Sequence, residues 1–295
     1  MDSYLIAMVT LAAIYAMMAI SLNLSWGLAG MVNLGLAGFI SIGAYASGLL
    51  TTVLGWPVPL AILAAMIIGL VSGVALTYVT LRLRDDYLAI VTLGFAEVIR
   101  LAIVNELWLT HGSDGISGIP GIVAREYGYG FELGTLALAL AAVALCYWLA
   151  DRVRTSPYGR NLRAIRDDPE GTAVAGKNVT LIKVKTFGLS TAIAALAGAF
   201  YAHYTSFISP EIFQPLLTMY VFLALTMGGT GNNRGAMLGA FLLIFVLEAS
   251  RFIAPSLPQF SAVQHAAIRE MLVAVLFILT LLYRPQGISP ETRHR

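Results

Sequence analysis

The chain has 295 residues, of which 58% are hydrophobic and 12% charged, with a formal charge of +2. Soluble domains average about 25% charged residues, so a water-soluble globule is excluded, and so small a net charge points to no nucleic-acid partner. The single cysteine, Cys146, excludes an intrachain disulfide, and His111, His203, His265 and His294 lack metal-ligand spacing.

Apolar runs fall near 4–25, 32–54, 58–81, 87–109, 133–150, 184–204, 215–229, 235–254 and 265–283. Most approach the roughly 20 residues that an α-helix needs to cross about 30 Å of hydrocarbon. The expected fold is therefore an all-α polytopic membrane protein. One domain, 1–295, is expected to carry about nine transmembrane helices, with 8–10 as the range. The first run follows Asp2 and is too long for a signal-peptide core, so it is expected to be retained as a span.

After the first run comes Gly27-Leu-Ala-Gly30-Met-Val-Asn33-Leu-Gly35-Leu-Ala-Gly38, continuing to Gly43. Glycine and asparagine at this density read as a helix interrupted inside the bilayer, tolerable beside protein or a water-filled cavity. Such breaks in two halves point to a transport pathway, whereas small residues for close helix packing are the alternative at Gly38 and Gly43. Arg82 and Arg84 follow the third run, and the fourth carries Glu97-Val-Ile-Arg100, whose charges share one helix face.

The segment after the fifth run, 151–183, is the most basic, with Arg152, Arg154, Arg160, Arg163, Arg166 and Lys177. Arg234 follows the seventh run, and Arg284, Arg293 and Arg295 follow the last. The positive-inside rule puts these clusters in the cytoplasm. Strict alternation then sets the N-terminus outside and the C-terminus inside, with 110–132, 205–214 and 255–264 external. A second break follows the seventh run, Met227-Gly228-Gly229-Thr230-Gly231-Asn232-Asn233-Arg234-Gly235. The eighth run holds Glu248-Ala-Ser-Arg251. This echoes Glu97-x-x-Arg100, and Gly35-Leu36 echoes Gly188-Leu189, which suggests a repeat of two halves. Ions inside a membrane are costly and so are functional candidates, although pairing near a span end is the structural alternative.

Within 151–183, GTAVAGKN (171–178) is one residue short of the phosphate-loop pattern, with Asn178 where Ser or Thr would hold Mg²⁺. Arg166-Asp-Asp168-Pro169-Glu170 ahead of it is no buried strand. Helix punctuation fits better. Asp168 is an N-cap, Pro169 takes the first helical position, and Glu170 faces the positive end of the dipole. Ala173 lies within the short helix and Gly176 ends it. Tyr158–Arg166 forms a second helix with Leu162 and Ile165 on one face. The pair is suited to another protein's groove, or, alternatively, to an anionic lipid surface.

Seven stretches in order carry a resemblance to a known family. They are GMVNLGLAGFISIGAYASGLL (30–50), LRLRDDYLAIVTLGFAEVIRL (81–101), THGSDGISGIPGI (110–122), SPYGRNLRAIRDDPEGTAVAGKNV (156–179), AGAFYAHYTSFISPEIF (197–213), MGGTGNNRGAMLGA (227–240) and YRPQGI (283–288). Together they resemble the permease subunit of ABC importers for branched-chain amino acids. The resemblance implies a multi-pass subunit of the bacterial inner membrane without catalytic residues, metal or directly bound cofactor. It implies a second, related permease as a heterodimer partner and two cytoplasmic ATPases that use ATP and Mg. A periplasmic solute-binding protein and membrane lipid complete the expected partners.

It also implies ATPase coupling through Arg163, Arg166, Asp168, Pro169, Glu170, Ala173 and Gly176. The expected pathway set is Asn33, Gly35, Gly38, Gly43, Gly228, Gly229, Gly231 and Asn232. Asn33 and Leu36 stand where the family commonly has Ser and His. Gly231-Asn232-Asn233-Arg234-Gly235-Ala236 departs from its usual G-S-x-x-G-P. Relatives also carry urea or short amides, so the substrate stays open. A stand-alone proton-driven carrier, with Glu97 and Glu248 as proton-binding groups, is the alternative of a different class.

Overall fold

A computed structural model describes residues 2–80, 85–123, 129–253, 262–284 and 286–291. Among the described residues, each of the nine apolar runs overlaps a helix of at least 14 residues. These are α1 (Asp2–Leu22), α2 (Leu36–Thr52), α3 (Val58–Thr80), α4 (Asp85–Asn105), α6 (Tyr129–Thr155), α9 (Val179–Thr205), α10 (Pro215–Gly228), α11 (Asn233–Ile253) and α12 (Ala262–Tyr283). Among the described residues, three shorter α-helices join them: α5 (Leu107–Thr110), α7 (Pro157–Asp167) and α8 (Pro169–Val174). Among the described residues, α1 with the π turn that follows it, α3, α4, α6 and α9 are long and apolar enough to cross a membrane. Helices α2 and α10 are apolar but shorter.

Helix α1 forms the centre, packed by α6, α9, α10 and α11. Its residues from Ala12 to Leu22 are almost all buried on every side, as a helix without a polar face requires. Polar side chains in this interior pair across helices. Ser21 donates to the Ser190 carbonyl and Ser190 donates to the Ser21 carbonyl, both at 2.7 Å. Around this centre, α3, α4, α6 and α12 expose apolar side chains such as Ile67, Val98, Leu145 and Ile278. That pattern suits a surface bathed in hydrocarbon rather than water.

Small residues bring α9 against α2 and α3. A Cβ at Gly43 would lie 2.0 Å from the Ala195 carbonyl oxygen, and one at Gly198 would lie 1.9 Å from that of Ile40. Gly69 and Gly73 of α3 leave room for the Ala195 and Thr191 side chains of α9, as small residues do where membrane helices pack closely.

Beyond the far end of α9, Phe207–Ile208 (β2) pairs antiparallel with Ile116–Ser117 (β1). Buried His203 ties this loop layer to the bundle. Its Nδ1–H donates to the Pro120 carbonyl at 2.6 Å, which leaves Nε2 to accept from the Ser47 hydroxyl at 2.7 Å. Replacing His203 with Ala strands both partners, and an unmet buried polar group costs about 1–3 kcal/mol. A His203→Ala variant is expected to unfold at lower temperature than Ser47→Ala, as read by thermal melting in detergent.

The structure refines two sequence readings. The second helix starts at Leu36 instead of 32, because residues 29–35 leave the helix after the π turn Asn23–Leu28. Gly35 and Gly188 are not equivalent, since Gly35 precedes α2 whereas Gly188 lies inside α9.

Candidate functional site

The segment 156–179 folds as its punctuation dictates. Ser156 caps α7, accepting from the Gly159 amide, with Pro157 at the first position. Asp168 ends α7 and caps α8, its Oδ1 accepting from the Gly171 amide at 2.9 Å. Gly176 takes φ +80°, a left-handed conformation that favours glycine. Asn178 then caps α9 by accepting from the Leu181 amide at 2.9 Å. A helix, not a strand, precedes GTAVAGKN, so its backbone is not arranged as a phosphate loop.

Leu162, Ile165 and Thr172 are buried, whereas Glu170, Ala173, Val174 and Gly176 are exposed. Val174, at 89% exposure, presents an apolar tip on α8. Tyr158 braces α7 against α9, donating to the Ile182 carbonyl at 2.9 Å and lying 2.8 Å from Thr186 Oγ1. Burial pushes its hydroxyl pKa up, so it remains a neutral donor. Between α7 and α8 an open cleft of about 400 Å³ is lined by Asn161, Ala164, Asp168, Thr172 and Lys177. Arg163 turns back toward the Arg154 carbonyl at 3.4 Å.

Arg166 turns inward rather than out. Its Nη1 donates to the Gly27 carbonyl at 2.6 Å, at the end of the π turn, and its Nη2 donates to Glu291 Oε2 at 3.1 Å. Gly30, at φ +75°, leaves room for its stem: a Cβ there would stand 3.1 Å from Arg166 Cγ. Gly231 lies beside the same guanidinium and carboxylate. One junction thus gathers both glycine breaks and the end of α7.

Asparagines join the two breaks. Asn23 Oδ1 accepts from the Gly231 amide at 2.8 Å, and Asn23 Nδ2 donates to Asn233 Oδ1 at 2.8 Å. Asn232 Nδ2 donates to Ser289 Oγ at 2.9 Å, and its Oδ1 accepts from the Arg234 amide. Gly228 packs on Gly235 and Gly239, and Gly229 (φ +122°) touches Ser289 and Gln286. Both asparagines of the pair therefore have a positional duty that packing alone would not require.

The remaining pathway candidates lie just before α2, at Asn33 and Gly35, and within it, at Gly38 and Gly43. Buried Asn33 accepts from the Gly35 amide at 3.1 Å, while its Nδ2 has no protein partner. Gly35 sits against the Thr92 carbonyl and Gly38 against Ala96 of α4, and Gly43 faces α9 as described. Glu97 and Arg100 form a forked pair on a half-exposed face of α4, with Nε donating to Oε2 at 2.9 Å. Glu248 is buried and accepts from Tyr4 at 2.9 Å. The Arg251 side chain, Arg82, Arg84, Arg293 and Arg295 lie outside the described residues, as do 124–128 of the expected external segment 110–132 and 255–261 of 255–264.

Sequence reasoning missed Asn23, Ser289 and Glu291, and it had Gly27 only as the start of the first break. A polar Asn23 at the end of an apolar run was a signal. Glu291 gave none, because its partner is 125 residues away. Among the described residues, no group of three or more His, Cys, Asp or Glu could hold a metal ion.

A family profile described as "Branched-chain amino acid transport system / permease component" matches residues 4–281. The chain is 32% identical to the high-affinity branched-chain amino acid transport system permease protein LivM of Escherichia coli, over 96% of this chain and 69% of that one. It is 30% identical to the probable LivM of Methanocaldococcus jannaschii, covering 97% of this chain and 94% of the relative. LivH of Escherichia coli matches at 27%, over 95% and 92%.

Proposed function

Because the chain belongs to the family of branched-chain amino acid transport permeases, we propose that it is the membrane subunit of a binding-protein-dependent ABC importer. Its solutes are branched-chain or related amino acids. It spans a bacterial inner membrane about nine times, with the N-terminus outside and the C-terminus in the cytoplasm. A second, related permease completes the pathway, two ATPases dock below, and a periplasmic binding protein delivers solute. ATP and Mg act in those ATPases and not in this chain.

The observation that carries the reading is the capped α8, which exposes Glu170, Ala173 and Val174 while the end of α7 holds the junction of both breaks. A helix presented outward for docking and tied inward to the pathway is the arrangement that coupling requires. ATP closes the ATPase dimer, the motion enters at Asp168–Gly176, and the permease halves rock about the pathway flanked by Asn33 and Gly228–Asn232. Arg163, Arg166 and Pro169 hold the docking helices in position.

Gentle purification followed by identification of co-purifying chains tests this. Two ATPase chains and a second permease are expected, and uptake into vesicles is expected to require ATP. A lone chain whose uptake collapses with the proton gradient would overturn the importer in favour of a carrier using Glu97 or Glu248.

A further inference from the structure

Residues 286–291 follow the last helix and lie on the glycine turn between α10 and α11. The Ile288 amide donates to the Met227 carbonyl at 3.0 Å and the Ser289 amide to that of Gly228 at 2.8 Å. Asn232 Nδ2 adds bonds to Ser289 Oγ at 2.9 Å and to the Pro290 carbonyl at 3.2 Å. Gly287, at φ +77°, crosses close against Gly229. This short stretch is thus attached along its length to the second glycine break, and its end reaches α7 through Glu291.

The charges around Arg166 define what that contact does. Asp167 offers Oδ1 at 3.3 Å, but its side chain is 68% exposed, so water weakens that pair. Glu291 is only 17% exposed and Arg166 22%, so their attraction is screened less. The same guanidinium holds the Gly27 carbonyl in the π turn that ends α1. Asn23 closes the circuit from that turn back to Gly231 and Asn233.

We infer that residues 286–291 form a transmission strap, in which Glu291 holds Arg166 so that movement of α7–α8 reaches the α1 π turn and the α10–α11 turn together. Glu291 is a positioning residue that acts through Arg166, and Asn232 with Ser289 fixes the strap to the turn. The strap rests on the importer reading, since it needs a motion delivered to α8.

The test uses the complete transporter in vesicles and measures solute moved per ATP hydrolysed. Glu291→Gln, close to isosteric, is expected to lower that ratio about five-fold or more, the scale of a typical coupling energy between sites. Glu291→Asp keeps the charge and is expected to recover most of the ratio. Arg166→Gln is expected to lower it as well, and the double variant is expected to be no worse than Arg166→Gln alone. A parental ratio in Glu291→Gln, or losses that simply multiply in the double variant, would overturn the strap. Equal losses in Glu291→Gln and Glu291→Asp would also overturn the charge-based link. If the parent transports without ATP, the importer reading fails first and the strap with it. Subunit yield and melting temperature, expected at parental values for Glu291→Gln, separate a lost link from lost folding.

Discussion

An Ala173→Pro variant is expected to insert and melt like its parent but to lose at least about ten-fold in ATP-driven uptake, within the range of site-to-site coupling. Helix α8 has six residues, Pro169–Val174. A helix that short has no stability of its own, so the Asp168 cap and tertiary contacts must hold it. Proline at 173 clashes with the carbonyl four residues back and costs about 3 kcal/mol in a helix interior. Ala173 is exposed and the bundle does not pack on it, so the damage stays local.

Asp168→Asn supplies an equally good cap and is expected to keep uptake, while Asp168→Ala, at about 1 kcal/mol for a lost cap, is expected to fall between. Uptake, ATP hydrolysis and subunit recovery in the same vesicles decide the matter. Parental uptake in Ala173→Pro would remove α8 from the coupling route.

The helices and the α7–α8 pair were legible because their signals are local. Among the described residues the apolar runs coincide with helices, five of them long and apolar enough to cross a membrane, and Asp168, Pro169 and Gly176 took the cap and turn conformations their chemistry favours. Long-range choices were not legible. Arg166 sits among basic residues that read as a docking face, yet its side chain turns to Gly27 and Glu291. That direction depends on a carboxylate brought back by α12 and the strap, and no periodicity encodes such a return. His203 likewise read only as one of four histidines without metal-ligand spacing, because its partners Ser47 and Pro120 come from two other parts of the chain. Gly38 and Gly43 show the same limit: sequence spacing fits both flexing and packing, and only the facing helix reveals what lies within reach.

That contrast gives the prediction with the largest expected effect on folding. Gly198→Ala and Gly43→Ala are each expected to reduce the yield of folded protein sharply and to lower its melting temperature, whereas Gly94→Ala is expected to leave both unchanged or improved. At 198 and 43 the new methyl would meet a backbone carbonyl at 1.9 and 2.0 Å. A carbonyl inside a helix cannot swing aside as a side chain can, so α2 and α9 must separate. Overpacking typically costs about 1–3 kcal/mol. Separation also stretches the Ser47–His203 bond between the same two helices. At exposed Gly94 no described atom outside the local helix backbone lies within 4 Å of the added methyl, and alanine there gains up to about 1 kcal/mol of helix propensity. Gly38, whose added methyl would meet Ala96 Cα at 2.7 Å, is expected to fall between. Melting temperature and uptake measured together separate the two roles open to these glycines. A fall in both marks close packing, while a loss of uptake at parental melting temperature marks a moving part of the pathway. A Gly198→Ala chain as stable as its parent would remove the backbone contact between α2 and α9 on which this part of the fold rests.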